Sequence, residues 1–289
     1  MDEEFLLEDR LQKIRQIVSK YGEENFYVSF SGGKDSTVLS ALVDMALPGN
    51  AIPRVFADTG IEYNMIRDFV YKMAEQKKFW EMVILKPSVP IKQTLEEVGY
   101  PFKSKAHSQR VYEYQRYGMH EYIERYIDNN GKYGCPKILR YQFDPEWNKL
   151  KISDKCCKKM KTEPMKRWAG ENNKYHAILG VMPDEGGRRL DAKCIAWKTK
   201  KRFNFQPLVA VTKEWEDWFI QKYDIEICDI YKEPYNFSRT GCKGCPFAIG
   251  VQQELDVLEK YFPNERKQCE IIWAPVYAEY RRLGYRLKE

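Results

Sequence analysis

Residues 29–36, Ser-Phe-Ser-Gly-Gly-Lys-Asp-Ser, constrain this chain more than any other stretch. Phe26-Tyr27-Val28 just before them is a short β-prone run, and Thr37 to Val43 just after reads as a buried helix. A strand that turns through two glycines into a helix aims backbone N–H groups, and the positive end of the helix dipole, at one spot. That spot suits a phosphate or pyrophosphate; Ser31, Ser36 and Thr37 add hydroxyl groups and Lys34 a cation. The Walker pattern would need glycine at 28, where Val28 stands, and Ser or Thr at 35, where Asp35 stands. The dinucleotide pattern G-x-G-x-x-G does not fit either. An ordinary strand–turn–helix corner is the competing reading, because Gly-Gly-Lys-Asp is good turn chemistry.

The rhythm around the loop sets the fold class. An amphipathic helix over residues 3–21 is expected from Phe5, Leu7, Leu11, Ile14, Val18 and Tyr21. The helix after the loop stops near Leu47-Pro48-Gly49-Asn50. Ile52 to Ala57 reads as a second strand, Ile61 to Gln76 as a helix, Met82 to Leu85 as a third strand and Ile91 to Val98 as a short helix. Such β-then-α repetition means α/β, with a doubly wound, mostly parallel sheet and right-handed crossovers. Ligands in such sheets bind beyond the carboxyl ends of the strands, where the 31–36 loop and Asp58-Thr59-Gly60 both fall. Taken alone, Asp58 and Thr59 are equally good helix N-caps.

No apolar run approaches the roughly 20 residues that span a bilayer, and the acidic Met1-Asp2-Glu3-Glu4 is unlike a signal peptide, so a cytoplasmic protein with no membrane partner is expected. The net charge of +6, from 48 basic and 42 acidic residues, suits an anionic substrate without establishing nucleic-acid binding. Eight cysteines with no secretion signal favour metal ligation, catalysis or burial over disulfides.

From about 101 to 150 the β/α rhythm gives way to a Tyr- and Arg-rich stretch, read as a helical insertion. Its interleaved rings and cations would suit nucleic acid, or simply a solvated helix face. Residues 155–167 hold six basic side chains around the pair Cys156-Cys157. Tyr175 to Val181 reads as another strand, leading into Asp184-Glu185-Gly186-Gly187-Arg188-Arg189; arginines there would pair with phosphate or sulfate. Thr212 to Tyr223 is read as a packing helix, and 251–262 and 267–283 as two terminal helices. Domains are expected at 1–225, carrying the insertion, and at 226–289, a small cysteine-bearing subdomain.

Cys242-Lys243-Gly244-Cys245-Pro246 is a C-x-x-C-P knuckle, a turn that lets two thiolates converge. A thioredoxin-type dithiol, a zinc site and an iron–sulfur cluster all remain open on these residues; Cys156, Cys157 and Cys269 are the available further ligands. Cys135, Cys194 and Cys228 are read as buried thiols.

The S-G-G-x-D-S loop resembles the pyrophosphate loop of the adenine-nucleotide α-hydrolase (ATP pyrophosphatase) superfamily. Asp58-Thr59-Gly60-Ile61-Glu62 resembles the D-T-G-x-E segment of its phosphoadenylyl-sulfate (PAPS) reductase-like branch, and Gly180, Glu185 and Arg189 fit that branch's G-x-x-x-x-E-x-x-x-R stretch. The Cys-Cys pair followed by C-x-x-C resembles the cysteine set of adenylyl-sulfate reductases. The resemblance covers about Phe26 to Phe247. It implies ATP or adenylyl sulfate as substrate, Mg²⁺, and a [4Fe–4S] cluster, with zinc as the alternative, on Cys156, Cys157, Cys242 and Cys245, with Cys269 in reserve. It implies that Ser29, Ser31, Gly32, Gly33, Lys34, Asp35 and Ser36 hold the pyrophosphate, with Asp58, Thr59 and Gly180 beside the nucleotide. Lys161, Arg188 and Arg189 would neutralise the transferring group, and Lys34, Asp35, Arg188 and Arg189 would be catalytic. In the reductases a cysteine in a C-terminal E-C-G-L-H-type tail attacks sulfur; no cysteine follows Cys269 here, which tilts the expectation toward cleavage of ATP at the α-phosphate and adenylation of an acceptor. Sulfonucleotide reduction with a thiol from a partner protein is the alternative, and a catalytically inactive nucleotide- or nucleic-acid-binding module is the third.

Overall fold

Six short strands form one sheet in the order β3-β2-β1-β4-β6-β5 in the computed structural model, which describes residues 2–76, 78–147, 149–183 and 191–288. The strands are β1 (Phe26–Ser29), β2 (Arg54–Ala57), β3 (Met82–Leu85), β4 (His176–Ile178), β5 (Ile195–Trp197) and β6 (Phe203–Phe205). All neighbours run parallel except β5, which lies antiparallel on β6 with Ala196 opposite Asn204. The α/β, mostly parallel sheet is as expected. The β5–β6 edge hairpin was not anticipated, because three-residue strands carry too little alternation to register as a pattern.

Strand order reverses at β1. The chain builds outward through β2 and β3, then returns to lay β4 on the other side of β1, with Val28 opposite both Arg54 and Ile178. This makes the β1/β4 boundary the topological switch point, where doubly wound sheets leave a crevice beyond the strand ends.

The chain divides into two compact units, each assembled from separate stretches: residues 1–58, 64–86 and 164–240 form the first, and 59–63, 87–163 and 241–289 the second.

The first unit holds the sheet with α1 (Glu3–Tyr21), α2 (Lys34–Ala46), α3 (Asn64–Glu75), α7 (Glu163–Glu171) from Pro164 onward, and α8 (Lys213–Lys222). Its core joins Leu7, Leu11, Ile14 and Val18 of α1 to Val38, Leu39, Leu42 and Val43 of α2 and to Phe26, Ile178 and Phe205 of the sheet. The α1 face is shifted from expectation: Phe5 is exposed and Ile17 buried. Nearby, the guanidinium of Arg54 is fully buried, paired with Asp44 at 2.7 Å, bonded to Asn50 and Ser40, and stacked on Trp80. Burial pulls its pKa down to about 10 against the pull of Asp44.

The second unit is helical: α4 (Ile91–Val98), α5 (Lys105–Tyr117), α6 (Glu121–Asp128), a π-helical turn over Lys158–Thr162, α9 (Val251–Tyr261), α10 (Pro263–Ile272) and α11 (Ala274–Arg282). The single helix expected over 267–283 is two, broken around Trp273 with Pro263 and Pro275 in their first turns, where proline is tolerated. His107 is buried between Tyr126 and Gln142, at 2.8 and 2.7 Å, and burial holds its pKa down at about 3, so it is a neutral core residue. No helix among the described residues is long and apolar enough to cross a membrane.

Candidate functional site

In the first unit, Phe30 to Gly33 connect β1 to α2 at the switch point. Gly32 turns with φ +71°, and a Cβ there would meet Val70 at 2.7 Å and Ile66 at 3.0 Å on α3. Only glycine fits both the backbone and the space. Ser36 then pins the loop: its hydroxyl accepts from the Ser31 N–H at 3.1 Å, lies 3.0 Å from the Ser31 hydroxyl, and donates to the Gly33 carbonyl at 2.9 Å. Thr37 also donates to the Gly33 carbonyl, at 3.0 Å. Gly33 is the helix N-cap in extended conformation, so Lys34, Asp35 and Ser36 form the first turn, whose N–H groups an α-helix leaves without intrahelical acceptors. The tight turn expected from two glycines is therefore braced from within by its own hydroxyls.

Gly180 follows β4 across the switch point. A Cβ at Gly180 would lie 3.0 Å from the Asp35 carbonyl oxygen and 3.3 Å from the Ser36 nitrogen. Its lack of a side chain thus lets the β4 exit approach the first turn of α2. Ser29 ends β1 with its hydroxyl 3.7 Å from the Met165 sulfur. Tyr231 stands over the loop, its hydroxyl 3.2 Å from where a Gly33 side chain would begin, and hydrogen-bonded to Thr240.

Lys34 does not stand alone in the loop. Its ammonium is 2.8 Å from Asp217 and 3.3 Å from Glu216, both on α8. Burial works against its charge, but these carboxylates outweigh it and raise its pKa. Glu216 is only 1% exposed, and neither of its carboxylate oxygens has a hydrogen-bond partner. Burial first, and the charge of Asp35 second, push its pKa up to about 7. Asp58, at the end of β2, is buried and held by Arg67 at 3.1 Å and by the Tyr71 hydroxyl at 3.0 Å.

In the second unit, Thr59 and Lys161 come together on Glu62. The Glu62 carboxylate accepts from the Thr59 N–H at 3.0 Å and hydroxyl at 2.8 Å, and pairs with Lys161 at 3.0 Å. Burial opposes the Lys161 charge, but Cys242 and Glu62 outweigh it and raise its pKa.

The cysteines of this unit divide. Cys156, Cys157, Cys242 and Cys245 lie within one another's electrostatic reach. The adjacent thiols of Cys156 and Cys157 push each other's pKa apart, the first up and the second down, with Lys105 and Lys161 adding to the second effect. Burial pushes Cys242 up to about 11 against Lys161. Cys269 is fully buried on α10; burial raises it to about 12, opposed by Lys243 and Arg266 and reinforced by Glu265 and Glu254. Of the remaining thiols, Cys135 and Cys228 are buried as expected and Cys194 is half-buried.

The knuckle is fixed by α10 and α11. Trp273 donates to the Lys243 carbonyl at 3.0 Å, Tyr277 to that of Gly244, and Tyr280 to that of Pro246 at 2.9 Å. Gly244 has φ +62°, and a Cβ there would run into the Tyr277 hydroxyl and lie 2.8 Å from the Cys269 sulfur. Lys243 is buried on Glu265 at 3.1 Å and donates its N–H to Ile61 at 2.8 Å. Even so, no group of three or more His, Cys, Asp or Glu side chains among the described residues is arranged to hold a metal ion. The thiol set suits thiolate ligation in kind, not in arrangement.

Glu185, Arg188 and Arg189 fall outside the described residues. Glu216 and Tyr231 are the site neighbours that sequence reasoning missed. Glu216 lay in a Trp-rich helical run read as packing, and a buried acid there gives no pattern of its own.

The chain matches the phosphoadenosine phosphosulfate reductase domain over residues 25–132 and 115–248, most of its length. It belongs to that family. Among curated proteins none matches. Solved structures give remote likenesses. A PAPS reductase from Candida auris in a phosphate complex is 12% identical, with 76% of this chain and 88% of that one covered and a TM-score of 0.42. A Candida glabrata FMN adenylyltransferase in complex with ATP is 12% identical, with 82% and 61% covered and a TM-score of 0.48. An NH3-dependent NAD synthetase from Campylobacter jejuni is 11% identical, with 100% and 98% covered and a TM-score of 0.45. At these values the PAPS reductase domain match, not the structural likeness, carries the identification.

Proposed function

We propose that this PAPS reductase-family chain is an enzyme that binds ATP with Mg²⁺ through the Ser31–Ser36 loop and cleaves it between the α- and β-phosphates, adenylating an acceptor. The observation that carries the reading is the position of the loop at the β1/β4 switch point, with Gly180 leaving room against the first turn of α2. Amides of that turn supply preorganised donors that stabilise charge at a phosphoryl centre, and the Ser31 and Ser36 hydroxyls hold the turn in shape. Mg²⁺ would enter on the nucleotide's phosphates, as it does where proteins lack a dedicated cage. Arg188 and Arg189 would add cations to the transferring group.

Glu216 is a buried carboxyl with its pKa near neutrality beside Lys34 and Asp35, suited to holding or releasing a proton next to the loop. Cys156, Cys157, Cys242 and Cys245 are thiol donors of the kind a [4Fe–4S] cluster, or zinc in the alternative, would take, but they are not arranged to hold a metal ion. No step above depends on it.

Family membership itself favours a second reading on the same loop: reduction of adenylyl sulfate or its 3′-phosphate, with a thiol supplied by a partner protein. Incubation with α-labelled ATP and candidate acceptors tests the first reading by release of AMP and pyrophosphate. Sulfite release from the sulfonucleotides with a thiol reductant, and none of those products from ATP, would replace it with the second. Retention of nucleotide with no turnover in either assay would leave a binding module. Failure to retain any of the three nucleotides in equilibrium dialysis would overturn all three readings.

A further inference from the structure

Apart from the loop and the thiols, the second unit contains a cavity of about 600 Å³ lined by four cations, Arg116, Lys151, Lys155 and Lys159, with Tyr112 and Glu97. The volume falls within the roughly 300–1,000 Å³ typical of small-molecule sites. What distinguishes this cavity is how its cations are held. Arg116 donates to the Tyr112 hydroxyl at 2.7 Å, one helical turn back on α5. Lys155 sits over the face of the same ring, 3.5 Å from its centre. Lys151 donates to the backbone carbonyl of Glu97. These three partners are a phenol, an aromatic ring and a carbonyl, all uncharged. Among the described residues, Lys159 alone of the four pairs with an acid, Glu163 at 3.2 Å.

Uncharged partners fix the direction of a cation without cancelling its charge. Tyr112 fastens two cations from separate segments to one ring, and Gln115 ties those segments together, donating to Leu150 at 2.8 Å and accepting from the Ile152 N–H at 3.1 Å. The result is positive potential focused into one concave site, which raises the local concentration of anions. Guanidinium and ammonium groups converging in this way match the oxygens of phosphate esters. One phosphate would engage only part of a cavity this size.

We infer that this cavity is a binding site for a small molecule carrying linked phosphates, held by Arg116, Lys151, Lys155 and Lys159. The inference is independent of the reading given above for the first unit, and its test is resolved lysine by lysine, so a failure of either leaves the other standing.

The test is acetylation of the full chain, followed by mass spectrometry, in inorganic triphosphate and in sodium chloride of equal ionic strength. Triphosphate is expected to slow modification of Lys151, Lys155 and Lys159 several-fold relative to chloride, and to leave exposed Lys20 unchanged. Arg116→Gln, an exposed position whose loss leaves the core intact, is expected to lower that protection without changing the melting temperature. Equal slowing in both salts, slowing at Lys20 as well, or protection undiminished in Arg116→Gln would overturn the site. Equal protection by inorganic monophosphate at the same charge would overturn the linked-phosphate assignment. Protection by a single-stranded oligonucleotide but not by triphosphate would replace the small molecule with a nucleic-acid strand.

Discussion

Glu216 lies 3.3 Å from the Lys34 ammonium with neither of its carboxylate oxygens hydrogen-bonded, so a buried acid and the loop's lysine meet as charges rather than as a fitted pair. The geometry sets a direction of pH dependence. The folded carboxyl titrates near 7, above its ordinary value of 4.5. Between these values the folded chain binds a proton that the unfolded chain has lost, so this group's contribution to stability falls as pH rises from about 4.5 to 7 and is level beyond. Thermal melting of the wild type and Glu216→Gln across that window checks the sign. The wild type should lose stability relative to the variant as pH rises; parallel curves would place the Glu216 pKa at its ordinary value.

The Ser31–Ser36 loop is braced chiefly through Ser36. Ser36→Ala removes the acceptor of the Ser31 N–H and should cost about 1 kcal/mol of stability. Denaturant unfolding measures that cost, and equilibrium dialysis with labelled ATP should show nucleotide retention falling by more than stability alone accounts for.

Gly32→Ala should be more harmful than a surface glycine substitution. Its φ of +71° and the contact with Val70 on α3 act together, and a loss of more than about 1 kcal/mol is expected, because a left-handed backbone and a packed neighbour both oppose the methyl group. Gly60, also at positive φ but with nothing within 4 Å of where a Cβ would sit, is the control: Gly60→Ala should lose less in the same unfolding experiment.

Asp44→Ala would leave the Arg54 guanidinium buried without its counter-charge. Removing one partner of a buried pair costs about 3–5 kcal/mol, and the upper part of that range is reduced here because Asp44 is one-third exposed. Urea denaturation at neutral pH measures it; a loss under about 1 kcal/mol would show that Asn50, Ser40 and Trp80 hold the guanidinium unaided.

Tyr277→Phe should loosen the C-x-x-C turn while keeping the ring in place. The Gly244 carbonyl loses its donor, and faster labelling of Cys242 and Cys245 by a thiol reagent is the expected outcome. Labelling rates equal to wild type would mean that Trp273 and Tyr280 hold the turn without it.

Much of this fold was legible because its signals are local. A β run, two glycines and a helix pattern identify the Ser31–Ser36 turn without any knowledge of its neighbours, and β2 and β3 repeat the logic. Three-residue strands such as Ile195–Trp197 carry no such period, and the break at Trp273 is masked by apolar spacing that continues across it. Around the site, the thiols were legible as residue types, while the burial of Cys269 and the mutual proximity of Cys156, Cys157, Cys242 and Cys245 needed three-dimensional placement. Glu216 was illegible for another reason: its significance comes from burial beside Lys34, and burial of a single acid leaves no trace in the order of residues.

The C-x-x-C turn has a consequence in time. Its carbonyls are capped by Trp273, Tyr277 and Tyr280, and its Lys243 N–H is spent on Ile61, made about 180 residues earlier. During synthesis, therefore, the thiols leave the ribosome ahead of the side chains that fix their turn. A chain released before Trp273 would carry the Cys242–Cys245 turn without the three side chains that cap its carbonyls, leaving the Lys243 bond to Ile61 to fix it.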